Sequence, residues 1–211
     1  MADELEALSV LADPGRRRLY AFAVEAGRPI GREEAAAAAG IGRSLAAYHL
    51  DRLAGVGLLE VEYARPAGRT GPGAGRPAKL YRRAERELAF RVPPRDYRVL
   101  AELAVEAASA DAAVCEALER AASELGERAG AAGSRLVDVL LERGYEPFDR
   151  EAGQLGLRNC PFAAVAARCP EVVCRINLAL VRGILAGLRL EPARAVLTPD
   201  AAGCCVSVLP A

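Results

Sequence analysis

The sequence predicts an α+β protein in which helical stretches alternate with short β hairpins along 211 residues. Apolar residues recur at the three- and four-residue spacing of amphipathic helices over much of the chain. Short runs bounded by Gly and Pro, at 58–63 and 80–82, have the pattern of paired strands. Pro93-Pro94 interrupts both patterns and marks a boundary. We therefore expect three regions: an N-terminal one at 1–91, a helical dimerisation region at 92–144, and a C-terminal α+β region at 145–211.

The N-terminal region has the element order of a winged helix-turn-helix domain. Asp13-Pro14 is a helix-start signal, with Asp as the N-cap and Pro at the first helical position. Gly40-Ile-Gly42 is a tight turn between two helical runs, and the β-like segments follow. In such a domain the helix after the turn enters the major groove of DNA. We expect a first helix or helix pair over 4–26, helices over 32–39 and 43–54, and strands over 58–63 and 80–82.

The remaining sequence favours helices combined with small hairpins. Ala-, Leu- and Glu-rich sequence predicts one long or two shorter helices over 96–130 and another over 134–143. We expect these helices to supply the dimer contacts. The other expected elements are two strands within 145–160, helices over 161–168 and 171–188, and a terminal hairpin of 193–198 and 204–209.

Charge is distributed unevenly, although 28 basic and 28 acidic residues give a net charge of zero. Residues 1–91 carry a net charge of +3 and the remainder −3, and 63–83 hold six basic residues and no acidic one. This pattern predicts a DNA-binding face in the first region. The alternatives are a solvated basic loop and a His49 that packs against the first helix. The candidate DNA-binding residues are Arg43, Ser44, Ala47, Tyr48, His49, Arg52, Arg65, Arg69, Arg76 and Lys79.

These candidates divide into two groups by their expected role on double-stranded DNA. At the start of the helix after the turn, short side chains such as Ser44 and Ala47 let the backbone approach the groove. Arg43 can read guanine or grip a phosphate. The arginines of the hairpin tip are expected to lie along phosphates or to enter the minor groove.

Five of the six cysteines crowd the last quarter of the chain. The acidic start of the chain and the absence of a long apolar run predict a cytoplasmic protein with no membrane span. In that compartment cysteines are metal ligands, redox centres or buried apolar residues more often than disulfides. Cys115, alone on a helix face, is expected to be buried and apolar. The candidate metal ligands are Cys160, Cys174, Cys205, Cys204 and Cys169.

Thiolates from separate segments are the ligands of iron–sulfur clusters. Cys174 lies in the first turns of a predicted helix, where the helix N-terminus favours a thiolate. Cys204 and Cys205 are expected to open the last strand and to face opposite sides, so that one of them, with a preference for Cys205, is a ligand. Cys169 is the weakest candidate because its spacing fits no motif.

Other functions for these cysteines remain open from the residues alone. Thiolates also hold Zn²⁺, and Cys160 or Cys174 can pair with Cys204 or Cys205 on oxidation. In a further alternative, the C-terminal region holds an organic ligand and the cysteines are incidental. An enzyme is not expected, because the chain has one His, no Ser-His-Asp arrangement and no phosphate-binding glycine motif.

The chain resembles the ArsR-like and MarR-like winged-helix regulators, and most closely the SufR-type branch. The resemblance is carried by Leu11-Ala-Asp-Pro-Gly-Arg-Arg-Arg, Arg43-Ser-Leu-Ala-Ala-Tyr-His-Leu-Asp-Arg-Leu, Gly75-Arg-Pro-Ala-Lys-Leu-Tyr, Asn159-Cys-Pro-Phe, Pro170-Glu-Val-Val-Cys-Arg-Ile-Asn-Leu and Gly203-Cys-Cys-Val. It implies a homodimeric, operator-binding transcriptional repressor with an iron–sulfur cluster, expected as [4Fe–4S]. Its ligands would be Cys160, Cys174 and either Cys204 or Cys205. Cluster occupancy would then set the angle between two DNA-reading heads.

Overall fold

A computed structural model describes residues 2–64, 77–88, 96–198 and 204–211. The chain divides into two units, Met1–Pro94 and Arg95–Ala211. Each unit combines helices with a small antiparallel sheet, which confirms the predicted α+β class. Arg65, Arg69 and Arg76 lie outside the described residues.

The described residues of the first unit form four helices and three strands. Its helices are α1 (Ala2–Leu11), α2 (Pro14–Ala26), α3 (Arg32–Ala39) and α4 (Arg43–Gly55). Its strands are β1 (Ile30–Gly31), β2 (Leu59–Ala64) and β3 (Ala78–Arg83), in the sheet order β1-β3-β2. The side chain of Asp13 accepts a hydrogen bond from the amide of Arg16 at 2.9 Å, so the predicted helix start is confirmed. The two-residue strand β1 was not predicted because it is too short to show an alternating pattern.

Helices α2, α3 and α4 enclose the core of the first unit. Leu19 from α2, Ala35 from α3, and Leu50 and Leu53 from α4 are fully buried. Tyr81 of β3 packs against them, which places the sheet at one side of the helices. The hairpin β2–β3 pairs in register from Leu59 opposite Arg83 to Ala64 opposite Ala78. The core therefore fixes the position of the hairpin relative to α4.

Between residues 96 and 211, the part of the second unit that the structure describes forms five α-helices and four strands. Its helices are α5 (Tyr97–Ala110), α6 (Ala112–Ala132), α7 (Leu136–Glu142), α8 (Ala163–Ala166) and α9 (Pro170–Gly187). Its strands are β4 (Pro147–Asp149), β5 (Leu155–Leu157), β6 (Ala195–Leu197) and β7 (Val206–Val208), in the antiparallel order β4-β5-β7-β6. The prediction of helix over all of 161–168 was wrong, because α8 is a single turn. Within the described residues, no helix is long and apolar enough to cross a membrane.

Helices α6 and α9 cross with their backbones in contact. The crossing points are Gly126 and Gly130 of α6 and Gly183 and Gly187 of α9. A Cβ at Gly183 would overlap the carbonyl of Ser123, and each of the other three glycines would meet a facing backbone carbonyl in the same way. Only residues without a side chain permit this approach. The helices of 92–144 and the C-terminal sheet therefore belong to one unit, in which α9 packs on both.

Candidate nucleic-acid interface and cysteine site

Helix α4 has a core face and an exposed face. Ala46, His49, Leu50 and Leu53 are buried, at the three- and four-residue spacing of one helix side. The other side presents a set that we call the outer face of α4. This face consists of Arg43, Ser44, Ala47, Tyr48 and Arg52, of which Ala47 is half-buried and the others are exposed.

The charges of this face are partly neutralised by acidic neighbours. Arg43 forms an exposed ion pair with Glu33 of α3 at 2.9 Å. Arg52 is exposed and forms no ion pair with any of the described residues. Exposed ion pairs contribute little to stability. The pair between Arg43 and Glu33 can therefore exchange for a contact with an external anion.

Asp51, next to the outer face, joins α4 to the hairpin. Its carboxylate accepts a hydrogen bond from the hydroxyl of Tyr81 at 2.8 Å and forms an ion pair with Lys79 at 2.5 Å. Burial raises the pKa of Asp51, but the hydrogen bonds from Lys79 and Tyr81 outweigh this effect and hold the pKa below its ordinary value. Lys79, a predicted DNA contact, is thus already paired to a carboxylate on α4.

His49 lies in the core of the first unit and not on the outer face. His49 is 8% exposed. Its imidazole lies beside Gly15 of α2, where an added Cβ would be 3.6 Å from Nε2. Among the described residues its Nδ1 has no hydrogen-bond partner. The prediction that His49 contacts DNA is corrected by this placement. The residue follows Tyr48 by one position and is therefore rotated by about 100° to the buried side.

Four thiols from three segments of the second unit meet. Cys160 follows β5, Cys174 lies in α9, and Cys204 and Cys205 directly precede β7. The side chains of Cys160 and Cys204, of Cys204 and Cys205, and of Cys205 and Cys174 interact. All four are free thiols. We call these four residues the thiol cluster.

Both members of the Cys204-Cys205 pair take part in the thiol cluster. The prediction that they open the last strand was wrong, because β7 begins at Val206 and Cys205 lies in a bend. Strand alternation does not apply to residues outside the strand. Cys204 is buried and contacts Cys160, whereas Cys205 is half-buried and contacts Cys174.

The members of the thiol cluster differ in pKa. The hydrogen bond from Cys160 lowers the pKa of Cys204 to about 6, against the opposing effect of burial. The same hydrogen bond, together with burial, raises the pKa of Cys160. Burial and the contact with Cys174 raise the pKa of Cys205. Cys204 therefore carries the negative charge of the cluster.

Two polar residues that the sequence did not identify extend this cluster. The Nδ2 group of Asn177 donates a hydrogen bond to the sulfur of Cys204 at 3.1 Å, and the hydroxyl of Tyr145 donates to Oδ1 of Asn177. Asn177 is 0% exposed and Tyr145 is 1% exposed. The available signal was a lone amide in the apolar run of α9, three residues after Cys174.

The other two cysteines lie apart from the thiol cluster. Cys169 is the half-buried N-cap residue of α9. Among the described residues it forms no hydrogen bond with another thiol. Cys115 is 2% exposed on α6, as expected, and its thiol lies 3.4 Å from a carboxylate oxygen of Glu119. Burial and this hydrogen bond raise the pKa of Cys115. Neither residue is positioned to join the four thiols.

The donor chemistry of the thiol cluster fits a soft-metal or iron–sulfur centre, because such centres take convergent thiolates. The described parts of the chain contain no group of three or more His, Cys, Asp or Glu arranged around one metal position. The four thiols instead contact one another in sequence, and each ligand would lose its proton on metal binding.

No protein-family model, curated protein or solved structure matches this chain. The resemblance to SufR-type regulators therefore stays an expectation from the sequence. The proposals below are supported by the geometry of the two units and by the chemistry of their side chains.

Proposed function

We propose that the chain is a homodimeric winged-helix transcriptional regulator that binds double-stranded DNA and whose operator affinity is controlled through its cysteines. The observation that carries the proposal is the outer face of α4. This face combines exposed basic side chains with short ones, and it lies opposite a fully buried core face. A helix with such a face can enter a major groove without uncovering its core.

The element order of the first unit supports the DNA-binding part. Helix α3 ends at Gly40 in a left-handed conformation, with φ of 65°, and α4 starts three residues later. The antiparallel strands β2 and β3 follow α4, and Arg65, Arg69 and Arg76 lie between them in the sequence. This element order supports our inference of a winged helix-turn-helix, in which α4 would read the groove and the hairpin would contact the adjacent backbone.

The residues of the outer face would act in different ways on DNA. Ser44 and Ala47 let the backbone of α4 approach the base edges, and Arg43 can reach a guanine or a phosphate once it leaves Glu33. Tyr48, with 57% of its surface exposed, can contact a base methyl group or a phosphate. Arg52 lies one turn beyond Tyr48 and would bind the phosphate backbone.

The thiol cluster supports the sensing part of the proposal. Cys160, Cys174, Cys204 and Cys205 would hold an iron–sulfur cluster, and Cys169 is not placed with them. When bound, such a group supplies a redox-active cross-link between polypeptide segments. The segments concerned are the one after β5, helix α9 and the one before β7. Ligation of their thiols would fix these three segments relative to one another.

A thiol-redox regulator is the second candidate, and a specific observation favours it. The thiols contact one another in pairs, Cys160 with Cys204 and Cys174 with Cys205. Direct contact between two thiols is what disulfide formation requires. Both candidates use the same residues, and the iron and sulfide content of the protein distinguishes them.

An exposed apolar face on α5 supports the dimer. Tyr97, Leu100 and Leu103 lie three residues apart on one side of the helix and are 61%, 68% and 58% exposed. A contiguous apolar face of this kind is unusual on a monomer and is typical of an interface. Helix α7 contributes less than expected, because Val139 and Leu140 are already buried in its own unit.

DNA binding is tested with a labelled 30-base-pair duplex of mixed sequence, whose affinity for the full chain is followed by fluorescence anisotropy from low to high salt. We expect log K to fall with log salt, and Arg52→Ala to reduce the slope by about one unit. Arg128→Ala is the control, because it removes the same charge from an exposed position on α6. Absence of binding by the wild type, or equal effects of the two substitutions, contradicts the proposal.

A further inference from the structure

Asn177 is a fully buried amide on a helix face that is otherwise apolar. Its neighbours on the buried side of α9 include Val173, Leu180 and Val181, which are 5%, 5% and 0% exposed. Burial of an amide among such residues is costly unless its donors and acceptors are hydrogen-bonded. The partners of Asn177 therefore indicate why an amide occupies this position.

Those partners give the amide a single orientation. The Tyr145 hydroxyl donates to Oδ1 of Asn177, and Nδ2 of Asn177 donates to the sulfur of Cys204 at 3.1 Å. Tyr145 is itself buried against Asn177 and the cysteines. Because a hydroxyl that donates must meet an acceptor, the amide oxygen faces Tyr145 and the NH₂ group faces Cys204.

We propose that Asn177 is a positioning residue that fixes the direction of the Cys204 sulfur within the thiol cluster, and that Tyr145 holds the Asn177 amide in its donating orientation. The inference rests on the proposed metal-binding function of the cysteines. A hydrogen bond donated to a ligand sulfur stabilises its negative charge and fixes its direction. Cys205 is half-buried, and its side chain interacts with the thiols of Cys174 and Cys204.

This role differs from that of a residue that only fills space. A hydrogen bond to a thiolate lowers the energy of the sulfur lone pair, which raises the energy needed to transfer an electron from sulfur to a metal. Removing the bond therefore shifts a sulfur-to-metal charge-transfer band to longer wavelength. Loss of packing alone changes stability and leaves the position of that band unaltered.

Co²⁺ alone, added to the reduced full-length chain without oxygen, is a suitable probe because thiolate ligation gives charge-transfer bands. Relative to wild type, we expect Asn177→Leu to shift the band to longer wavelength and to weaken Co²⁺ binding roughly tenfold. Tyr145→Phe should give a smaller shift in the same direction, since the amide is then free to turn. If Asn177→Leu does not fold, Tyr145→Phe decides the result.

Two controls separate positioning from packing. Ser207→Ala removes another buried hydroxyl of the same unit, which contacts Gln154 and Thr198 and not a sulfur, and it should leave the band in place. A double-mutant cycle then identifies the sulfur concerned. Asn177→Leu should have no further effect on the band in Cys204→Ser, and its full effect in Cys205→Ser.

The outcomes are distinct. If wild type shows no thiolate-to-cobalt band, the metal-binding function fails and the positioning role fails with it. If wild type shows the band but Asn177→Leu leaves it unmoved, or moves it equally in Cys204→Ser, the positioning role alone is overturned. A shift that disappears only in Cys204→Ser establishes the role of Asn177.

Discussion

The hydroxyl of Tyr81 on β3 donates a hydrogen bond of 2.8 Å to the carboxylate of Asp51 on α4. Tyr81 is 2% exposed, so this bond lies at the edge of the core and ties the hairpin to the helix. This bond joins the two elements proposed to contact DNA, through a carboxylate that is itself half exposed beside the outer face of α4.

Tyr81→Phe removes this hydrogen bond and keeps the ring. We expect it to destabilise the first unit by about 1–2 kcal/mol, because a bond to a charged acceptor is lost. Hydrogen exchange at the amides of β3 and α4 should become faster. Tyr63→Phe is the matched control, since Tyr63 on the neighbouring strand is 62% exposed. Unchanged exchange in Tyr81→Phe would show that packing alone holds the hairpin.

Asp51→Asn removes the acidic group beside the outer face of α4. The substitution releases Lys79 from its ion pair and removes one negative charge that repels phosphates. We expect tighter binding to the mixed-sequence duplex and a salt dependence that is steeper by about one unit. Glu25→Gln, on the exposed side of α2, controls for the change in net charge. Weaker binding by Asp51→Asn would place Lys79 away from the DNA.

Gly183→Ala tests the close crossing of α6 and α9. The new Cβ would overlap the backbone of Ser123, so the two helices must separate. We expect a loss of about 3 kcal/mol or more in the free energy of unfolding, measured with denaturant. At Gly55 a Cβ meets no atom within 4 Å, and Gly55→Ala should be neutral or stabilising. Equal stability of Gly183→Ala and wild type would contradict the crossing.

The acidity of Cys204 can be measured in the reduced, metal-free chain. With a pKa of about 6, set first by the hydrogen bond from Cys160, this thiol should ionise well below the ordinary range. Thiolate absorbance in the ultraviolet should therefore rise in a step near pH 6, and Cys204→Ser should lack that step. Cys115→Ser should retain it, because burial raises the pKa of Cys115. A step that persists in Cys204→Ser would assign the thiolate elsewhere.

The lowered pKa of Cys204 also predicts the direction in which stability changes with pH. The pKa of Cys204 is lower in the folded chain than in the unfolded chain, so the unfolded state binds more protons between the two values. The contribution of Cys204 to stability is then present above the ordinary thiol pKa and is lost as the pH falls toward 6. The stability difference between wild type and Cys204→Ser should shrink over that interval.

The helices of the first unit were predictable because their signals are local. The predicted helix over 32–39 was confirmed, and the helix that starts at Arg43 ends one residue later than expected. Caps, glycines and apolar spacing act within a few residues, so the sequence contains them directly. The same is true of the break at Pro170, where α9 starts.

The arrangement of the thiol cluster was less predictable because it depends on contacts distant in sequence. The clustering of cysteines in the sequence suggested that their segments converge, but it did not show that β7 begins only after Cys205. Pairing with β5 and β6 sets where β7 begins, and therefore whether Cys204 and Cys205 belong to the strand. Asn177 showed only as a polar interruption of an apolar face, and its partner Tyr145 lies 32 residues away.

The central claim is that ligation of the thiol cluster controls DNA binding. The most direct measurement uses protein purified without oxygen, assayed for iron and sulfide, and compared in DNA affinity with the same sample after chelation. The account predicts a coloured protein with about four irons and four sulfides per chain, whose affinity for DNA changes when they are removed. A colourless protein without iron, or equal affinity before and after chelation, would contradict it.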